Sequence, residues 1–356
     1  MKISACFGLA LAALTIVSCR GSAPEQFSPL QDEGAWNLEG QRAEIIGQSC
    51  PEGKGTGFEM SFLLTAEPVA LGETDAVNRA LPGLDFLGGW ALSAAPGSFG
   101  GLSGLKVMPL GELLAVSDAG ALVEIGFDQE ALRPTGQASI SFFRDAGGDI
   151  LTGKAEADAE GLELYGDIVL VSFERHHRIL AFAYGVCGSN AKAVSVSEIP
   201  VAPPSLGTSI RDNSGAEALA WYSDRLLVGL ESVVDRLGPV AAIDAGGEAQ
   251  FEAWPWLDGE GLPLVGLDAA GDTLFSLHRA YNPLTGNSIM IAETAKGGPT
   301  RPLGRISKPL TVDNFEGVAV LDRPDGERRL FIIADDNFSD GQQTLLFAFR
   351  VRTRER

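Results

Sequence analysis

The chain has 356 residues, of which 45% are hydrophobic and 21% charged, a composition that belongs to a globular protein and excludes collagen, coiled coil and a disordered chain. Its 27 lysines and arginines stand against 47 aspartates and glutamates, a net charge of −20. That excludes nucleic acid and an anionic membrane surface as partners, because both require clustered basic residues.

At the N-terminus, Lys2 precedes an uncharged apolar run from Ile3 to Val17, followed by Ser18 and Cys19. The run falls short of the roughly 20 residues a spanning helix needs, and reads as an export signal over residues 1–18. Ile16-Val17-Ser18-Cys19 resembles the lipobox of bacterial lipoproteins. Cys19 is then the lipidation site, and residues 19–34 form a flexible linker. A plain secretory signal cut nearby is the alternative. The expected location is the bacterial cell envelope, with the membrane touched only through the anchor. Beyond Cys19 the cysteines are Cys50 and Cys187. An exported protein can pair them, and the sequence leaves a disulfide and two buried thiols both open. No CxxC or Cys-His spacing points to zinc.

Residues 35–83 read as an N-terminal extension or partial blade. Ala43 to Gly47 and Gly57 to Thr65 are strand-like, and serve either as a hairpin over the ring or as part of a degenerate sixth blade. From residue 84 to 352 one short pattern returns about every 50 residues: Ser103-Gly104-Leu105, Glu160-Gly161-Leu162, Glu217-Ala218-Leu219, Val265-Gly266-Leu267 and Glu316-Gly317-Val318. Each copy opens a short apolar strand. A turn then leads to a second run: Leu113 to Ser117, Ile168 to Phe173, Arg225 to Leu230, Thr273 to Leu277 and Leu330 to Ala334. Third runs follow at Ala121 to Ile125, Arg178 to Phe182, Val240 to Ile243, Ser288 to Ala292 and Thr344 to Phe349. No stretch shows a sustained helical period. The expected fold is an all-β propeller of five countable four-stranded blades, with a sixth left open. The last unit ends after its third strand, so Leu84 to Ser93 is expected to pair with it and close the ring.

In a propeller the start of the first strand and the end of the second meet at one mouth. Blade by blade those positions are Ser103 with Asp118, Glu160 with Glu174, Glu217 with Glu231, Val265 with His278 and Arg279, and Glu316 with Asp335. Asn213, Asp313, Asn314, Arg175, Asp336 and Asn337 adjoin them. Seven carboxylates, those of Asp118, Glu160, Glu174, Glu217, Glu231, Glu316 and Asp335, would repel one another unless cations lie among them. One reading is a site for a hard cation, calcium before others, that holds a phosphate or carboxylate substrate against Arg175, Arg279 and His278. The other is a structural ring in which each carboxylate caps or pairs a neighbouring blade. The blade that breaks the pattern, with Val265, His278 and Arg279, is the stronger functional pointer. Gly101 to Leu105 lacks the last glycine of a nucleophile elbow, so Ser103 is read as a strand start. One of His176 and His177 could face the same mouth.

The strings Phe99 to Leu105 with Val116 to Asp118, Ala159 to Leu162 with Ser172 to Arg178, Asn213 to Leu219, and Asp313 to Gly317 with Asp335 to Phe338 resemble the family called esterase-like activity of phytase, or phytase-like. The likeness spans about residues 84 to 350. It departs at Ala218, where the other acidic copies have glycine, and at Val265, where no acid stands. The resemblance implies hydrolysis of esters or phosphoesters in the bacterial envelope. Glu160, Glu217, Glu316 and Asp335 would then hold the cation, Arg175 and Arg279 would bind the oxyanion, and His278 would be acid or base, in a monomer acting on a small molecule. A non-catalytic envelope propeller that binds a glycan, a metal or a protein is the alternative, and a lactonase-like propeller acting on carboxyl esters is a third reading.

Overall fold

The computed structural model describes residues 34–51 and 59–353. Five antiparallel blades surround one axis. Blade one is built from Leu102–Val107, Leu113–Ser117, Ala121–Asp128 and Arg133–Phe142, and blade two from Ala159–Tyr165, Ile168–Phe173, Arg178–Phe182 and Val194–Glu198. Blade three uses Ala216–Tyr222, Arg225–Leu230, Val240–Ile243 and Ala249–Gln250; blade four uses Leu264–Ala270, Thr273–Asn282, Gly286–Ala295 and Thr300–Ser307. In blade five Asn314–Asp322, Arg328–Asp335 and Thr344–Val351 are completed by Leu84–Ala94, which runs antiparallel to the last of them from Leu84 opposite Val351 to Leu92 opposite Thr344. The expected closure is therefore observed. Second strands such as Leu113–Ser117, Ile168–Phe173 and Arg225–Leu230 are buried along their whole length, because each blade has a blade on both faces. The hairpin turns use left-handed backbone, at Gly166, Gly271 and both Ser223 and Asp224, which matches the twist of the strands they join.

The repeated three-residue pattern has a geometric cause. In every inner strand the register against the second strand slips at the repeat, after Ser103, Ala159, Ala216, Leu264 and Phe315, so each repeat is a β-bulge. The small residue sits where one inner strand meets the next. A Cβ on Gly104 would lie 2.5 Å from the Glu160 carbonyl oxygen of blade two, and one on Gly266 would lie 2.7 Å from that of Glu316 in blade five. Five strands thus converge on the axis with their backbones nearly touching, and in blades two, three and five the residue before the small one, Glu160, Glu217 and Glu316, is delivered to the mouth.

Two sequence expectations for residues 35–83 are corrected. Leu38–Ser49 is an α-helix and not a strand, and Thr74–Ala80 is a second helix. The first buries only Leu38, Ile45 and Ser49 and contains two glycines, so its apolar stripe is too thin to show a period; packing holds it. The strand Met60–Pro68 is neither a hairpin over the ring nor a sixth blade. Its first half pairs with Gln137 to Ile140 of blade one and its second half with Trp90 to Ala94 of blade five.

Together these segments form a belt that touches every blade. Ala35 bridges to Asp244 beside blade three, Arg42 makes two hydrogen bonds to Asp167 of blade two (3.0 and 2.7 Å), and Cys50 is disulfide-bonded to Cys187. After the stitching strand, Leu71 O accepts from Thr311 N (2.7 Å) and Gly83 N donates to Leu303 O (2.8 Å), both at blade four. The disulfide closes a loop of 137 residues, so replacing both cysteines by serine is expected to cost about 3–5 kcal/mol of unfolding free energy. Guanidinium titration of the oxidised protein and the double variant measures this. A difference below about 1 kcal/mol would mean that the strands alone fasten the belt.

Candidate active site

The mouth holds a cavity of about 780 Å³, in the range of small-molecule sites. Blade one supplies Asp118; blade two supplies Lys154, Asp158, Glu160, Glu174 and Arg175; blade three supplies Asn213, Ser214, Glu217 and Glu231. Blade four contributes Arg279, Tyr281 and Asn287, and blade five Asp313, Asn314, Glu316, Asp335 and Asn337. The backbone that aims several of them is unusual: Arg175 and Asn337 sit at φ 58° and 50°, a region that side chains other than glycine seldom enter and that clusters at functional sites.

Three cations neutralise part of the acidic ring. Lys154 Nζ contacts Asp118 Oδ2 at 2.6 Å and Asp158 Oδ1 at 3.5 Å, and Arg175 Nε contacts Asp158 Oδ2 at 2.6 Å. Blade four has no acid at Val265, which is buried among apolar side chains; its Arg279 instead reaches Glu231 of blade three and Glu316 of blade five, both at 3.0 Å. Burial opposes the Arg279 charge, but Glu316 and Glu231 outweigh it and hold the guanidinium protonated. Ser103 Oγ donates to Glu316 Oε2 (3.1 Å), Asn314 Nδ2 donates to Glu316 Oε1 (2.9 Å), and Gly215 N donates to Glu174 Oε1 (3.1 Å).

Among the described residues no lysine or arginine forms an ion pair with Glu160, Glu174 or Glu217. Burial, then Glu316 and Glu174, push the Glu160 carboxyl well above its ordinary range, and burial with Glu160 and a hydrogen bond to Glu174 do the same to Glu217. Asp335 is raised to about 8 by burial and by Glu316. Carboxyl oxygens of Asp158, Glu160 and Glu174, and likewise of Glu174, Glu217 and Glu231, lie within 4.8 Å of one another. One oxygen of Asp118 is buried with no hydrogen-bond partner.

A family model described as phytase-like, esterase-like activity of phytase, matches residues 97–338, which is more than half of the chain. The chain belongs to the phytase-like family. No curated protein matches it. Among solved structures, the PQQ-bound aldose sugar dehydrogenase of Streptomyces coelicolor is 14% identical with a TM-score of 0.39, over 83% of this chain and 99% of that one. An endo-arabinase of Bacteroides thetaiotaomicron is 12% identical at 0.40, over 72% and 95%, and the Cps50 (Swd1) β-propeller domain of Myceliophteria thermophila is 10% identical at 0.37, over 81% and 100%.

In this phytase-like propeller the seven carboxylates expected at the mouth, Asp118, Glu160, Glu174, Glu217, Glu231, Glu316 and Asp335, all line the cavity, as do Arg175 and Arg279. His278 does not. Residues alternate along a strand, so with Arg279 in the mouth His278 turns into the core, where it is fully buried against Ser276 Oγ (3.0 Å) and Leu262 O (3.3 Å), and burial lowers it to about 4. His176 faces Glu156 and Glu198 on the surface and His177 is buried, so neither lines the cavity. Asp336 is spent on Gly101 N (2.9 Å) and Thr344 Oγ1 (3.0 Å). Sequence reasoning missed Lys154 and Asp158, which precede the second repeat; the Asp-x-Glu spacing of Asp158 and Glu160 was the available signal. Cys19 and its linker lie outside the described residues.

Towards the other end of the same inner strands a second cluster joins the blades. Lys106 Nζ of blade one contacts Glu163 Oε2 of blade two at 2.8 Å and Asp268 Oδ1 of blade four at 2.6 Å. Glu163 Oε2 also accepts from Trp221 N of blade three, and Asp268 Oδ2 from Val320 N of blade five, both at 2.6 Å. All three side chains are buried, and the two carboxylates keep the ammonium charged against burial. This triad touches all five blades and stands apart from the mouth, whose residues it does not include.

Proposed function

We propose that this protein is an exported, lipid-anchored hydrolase that cleaves a phosphoester or related ester at the acidic mouth, with a divalent oxygen-seeking cation, calcium before others. The observation that carries the reading is the group Glu160, Glu174 and Glu217: three carboxylates at the floor of a substrate-sized cavity with no lysine or arginine among the described residues paired to them, while Lys154, Arg175 and Arg279 serve their neighbours. The donor set fits such an ion. It is oxygen only, carboxylate rich and contributed by rigid strand ends of two blades, with Glu174 common to both groups of converging oxygens. Asp158, Glu160, Glu174, Glu217 and Glu231 would hold the cation. Bound there, it would supply Lewis-acid polarisation of an ester oxygen.

The remaining roles follow from the side chains. Lys154 and Arg175 stand at the rim, 59% and 38% exposed, and can gather an anionic group from solvent. Arg279 bridges Glu231 and Glu316 and so fixes the wall between blades three and five. Asp335 lines the cavity with a proton retained near neutral pH, so the acid role expected of His278 falls to Asp335, which can protonate a departing alkoxide oxygen. The disulfide suits an oxidising compartment, and no helix among the described residues is long and apolar enough to cross a membrane.

The test is release of 4-nitrophenol from 4-nitrophenyl phosphate and 4-nitrophenyl acetate by the form beginning at Arg20, after chelation and after calcium is restored. Calcium-restored phosphate release is expected, with a loss of about 100-fold or more in Glu174→Gln. Calcium-restored acetate release would instead favour a carboxyl ester and the lactonase-like reading. Silence on both substrates in both states would leave a binding propeller.

A further inference from the structure

Blade four differs from its fellows above the mouth. Its second and third strands run for 10 residues each, Thr273–Asn282 and Gly286–Ala295, whereas the second strands of blades one to three have 5 or 6. The inner strand begins at Leu264 opposite His278, yet the hairpin continues through Arg279 opposite Ile289 to Asn282 opposite Gly286. That extra length stands beyond the ring. Alternation places Tyr281 on the side of Arg279, and both line the cavity. At the tip, Asn282 Oδ1 accepts from Leu284 N (2.8 Å) and Thr285 N (3.3 Å), an Asx turn that leaves the Leu284 side chain in solvent. Tyr281 is 65% exposed and Leu284 94%. On the other flank of blade five, Phe338 is 45% exposed and lies over Gly101, beside cavity-lining Asn337.

An acidic floor whose rim carries Lys154, Arg175 and Lys308, with an apolar hairpin tip standing above it on blade four, matches an anionic ligand with an apolar part better than a wholly polar one. We propose that the Arg279–Asn287 hairpin, through Tyr281 and Leu284, seats the apolar alcohol part of the substrate, so that the site takes esters of aryl- or acyl-bearing alcohols over esters of small polar ones. This rests on the hydrolytic reading above. Water leaves Tyr281 and Leu284 only when such a group covers them, and the gain enters binding and not the chemical step.

The probes are 2-naphthyl phosphate and glycerol 2-phosphate, given to the full chain with calcium, and the variant is Tyr281→Ser with Leu284→Ser. Both side chains are exposed, so the variant's melting temperature checks that the fold is kept. The ratio of kcat/KM for the naphthyl ester to that for the glycerol ester is expected to fall about tenfold in the variant, through KM. An unchanged ratio overturns the proposal. If the wild-type protein turns over neither ester, the hydrolytic reading has failed and calorimetric titration decides the rim: about tenfold tighter binding of 2-naphthyl phosphate than of glycerol 2-phosphate, lost in the variant, supports it, and equal or absent binding overturns it.

Discussion

Lys106→Met is expected to destabilise the propeller by about 3–5 kcal/mol, more than any change on its outer surface. The ammonium is the only positive group in the triad, and its removal leaves Glu163 and Asp268 buried and facing each other without compensation. Each of those carboxylates also accepts a backbone N–H from a further blade, so a shift by either to escape the other would break the bond at Trp221 or Val320. The three-fold variant Lys106→Met, Glu163→Gln, Asp268→Asn should recover a good part of the loss, because it removes the charges along with their partner. Urea unfolding of the three proteins is the measurement. A single variant within about 1 kcal/mol of the wild type would mean that water or a neighbouring group relieves the pair and that the blades are joined by strand packing alone.

Most of the ring was legible because its period is physical. Each repeat is a bulge whose small residue must clear the next backbone, and that requirement recurs in every blade, so it printed itself on the sequence five times. The mouth followed from the same period, since the residue ahead of each glycine and the end of each second strand are fixed by strand length. Three things were hidden. Lys154 and Asp158 arrive through a non-repeating connection, so no period marks them. The belt helix is held by Arg42, Cys50 and two apolar side chains, and its cap, in which Asn37 Oδ1 accepts from Gly40 N at 2.9 Å, is the one local sign it carries. The facing of His278 depends on alternation along Thr273–Asn282, which runs on past the start of the inner strand at Leu264, so a count off by one residue exchanges His278 and Arg279. The triad was readable in principle, as three charged residues each three positions after the first residue of a repeat, where the inner strand past the repeat otherwise holds apolar or aromatic residues.

Metal-free protein is expected to melt about 4 °C lower at pH 9 than at pH 7, and millimolar calcium to raise the midpoint at pH 9 by about 5 °C or more. The sign follows from the raised carboxyls. Asp335, moved to about 8, and Glu160 and Glu217, moved in the same direction, keep their protons in the folded protein long after the unfolded chain has released them. The folded state then binds more protons than the unfolded one, so this contribution is complete below the unfolded carboxyl range and is lost as pH rises through the folded values. His278, lowered to about 4, acts in the opposite sense, but only between that value and the ordinary histidine range, below pH 7. Asp85, where Arg350 and Arg352 outweigh burial, and Asp322, beside Arg328, are lowered, so they stabilise the fold fully above the carboxyl range and lose that contribution only as pH falls below it. Between pH 7 and 9 the mouth therefore governs the slope. A cation taking the place of those protons reverses the deficit, and because protons compete for the same oxygens its stabilisation should grow from pH 7 to pH 9. Scanning calorimetry at both pH values, with chelator and with calcium, makes the comparison. A midpoint flat in pH and indifferent to calcium would show that the carboxylates are satisfied by protein groups, and the structural ring would then be the correct account of the mouth.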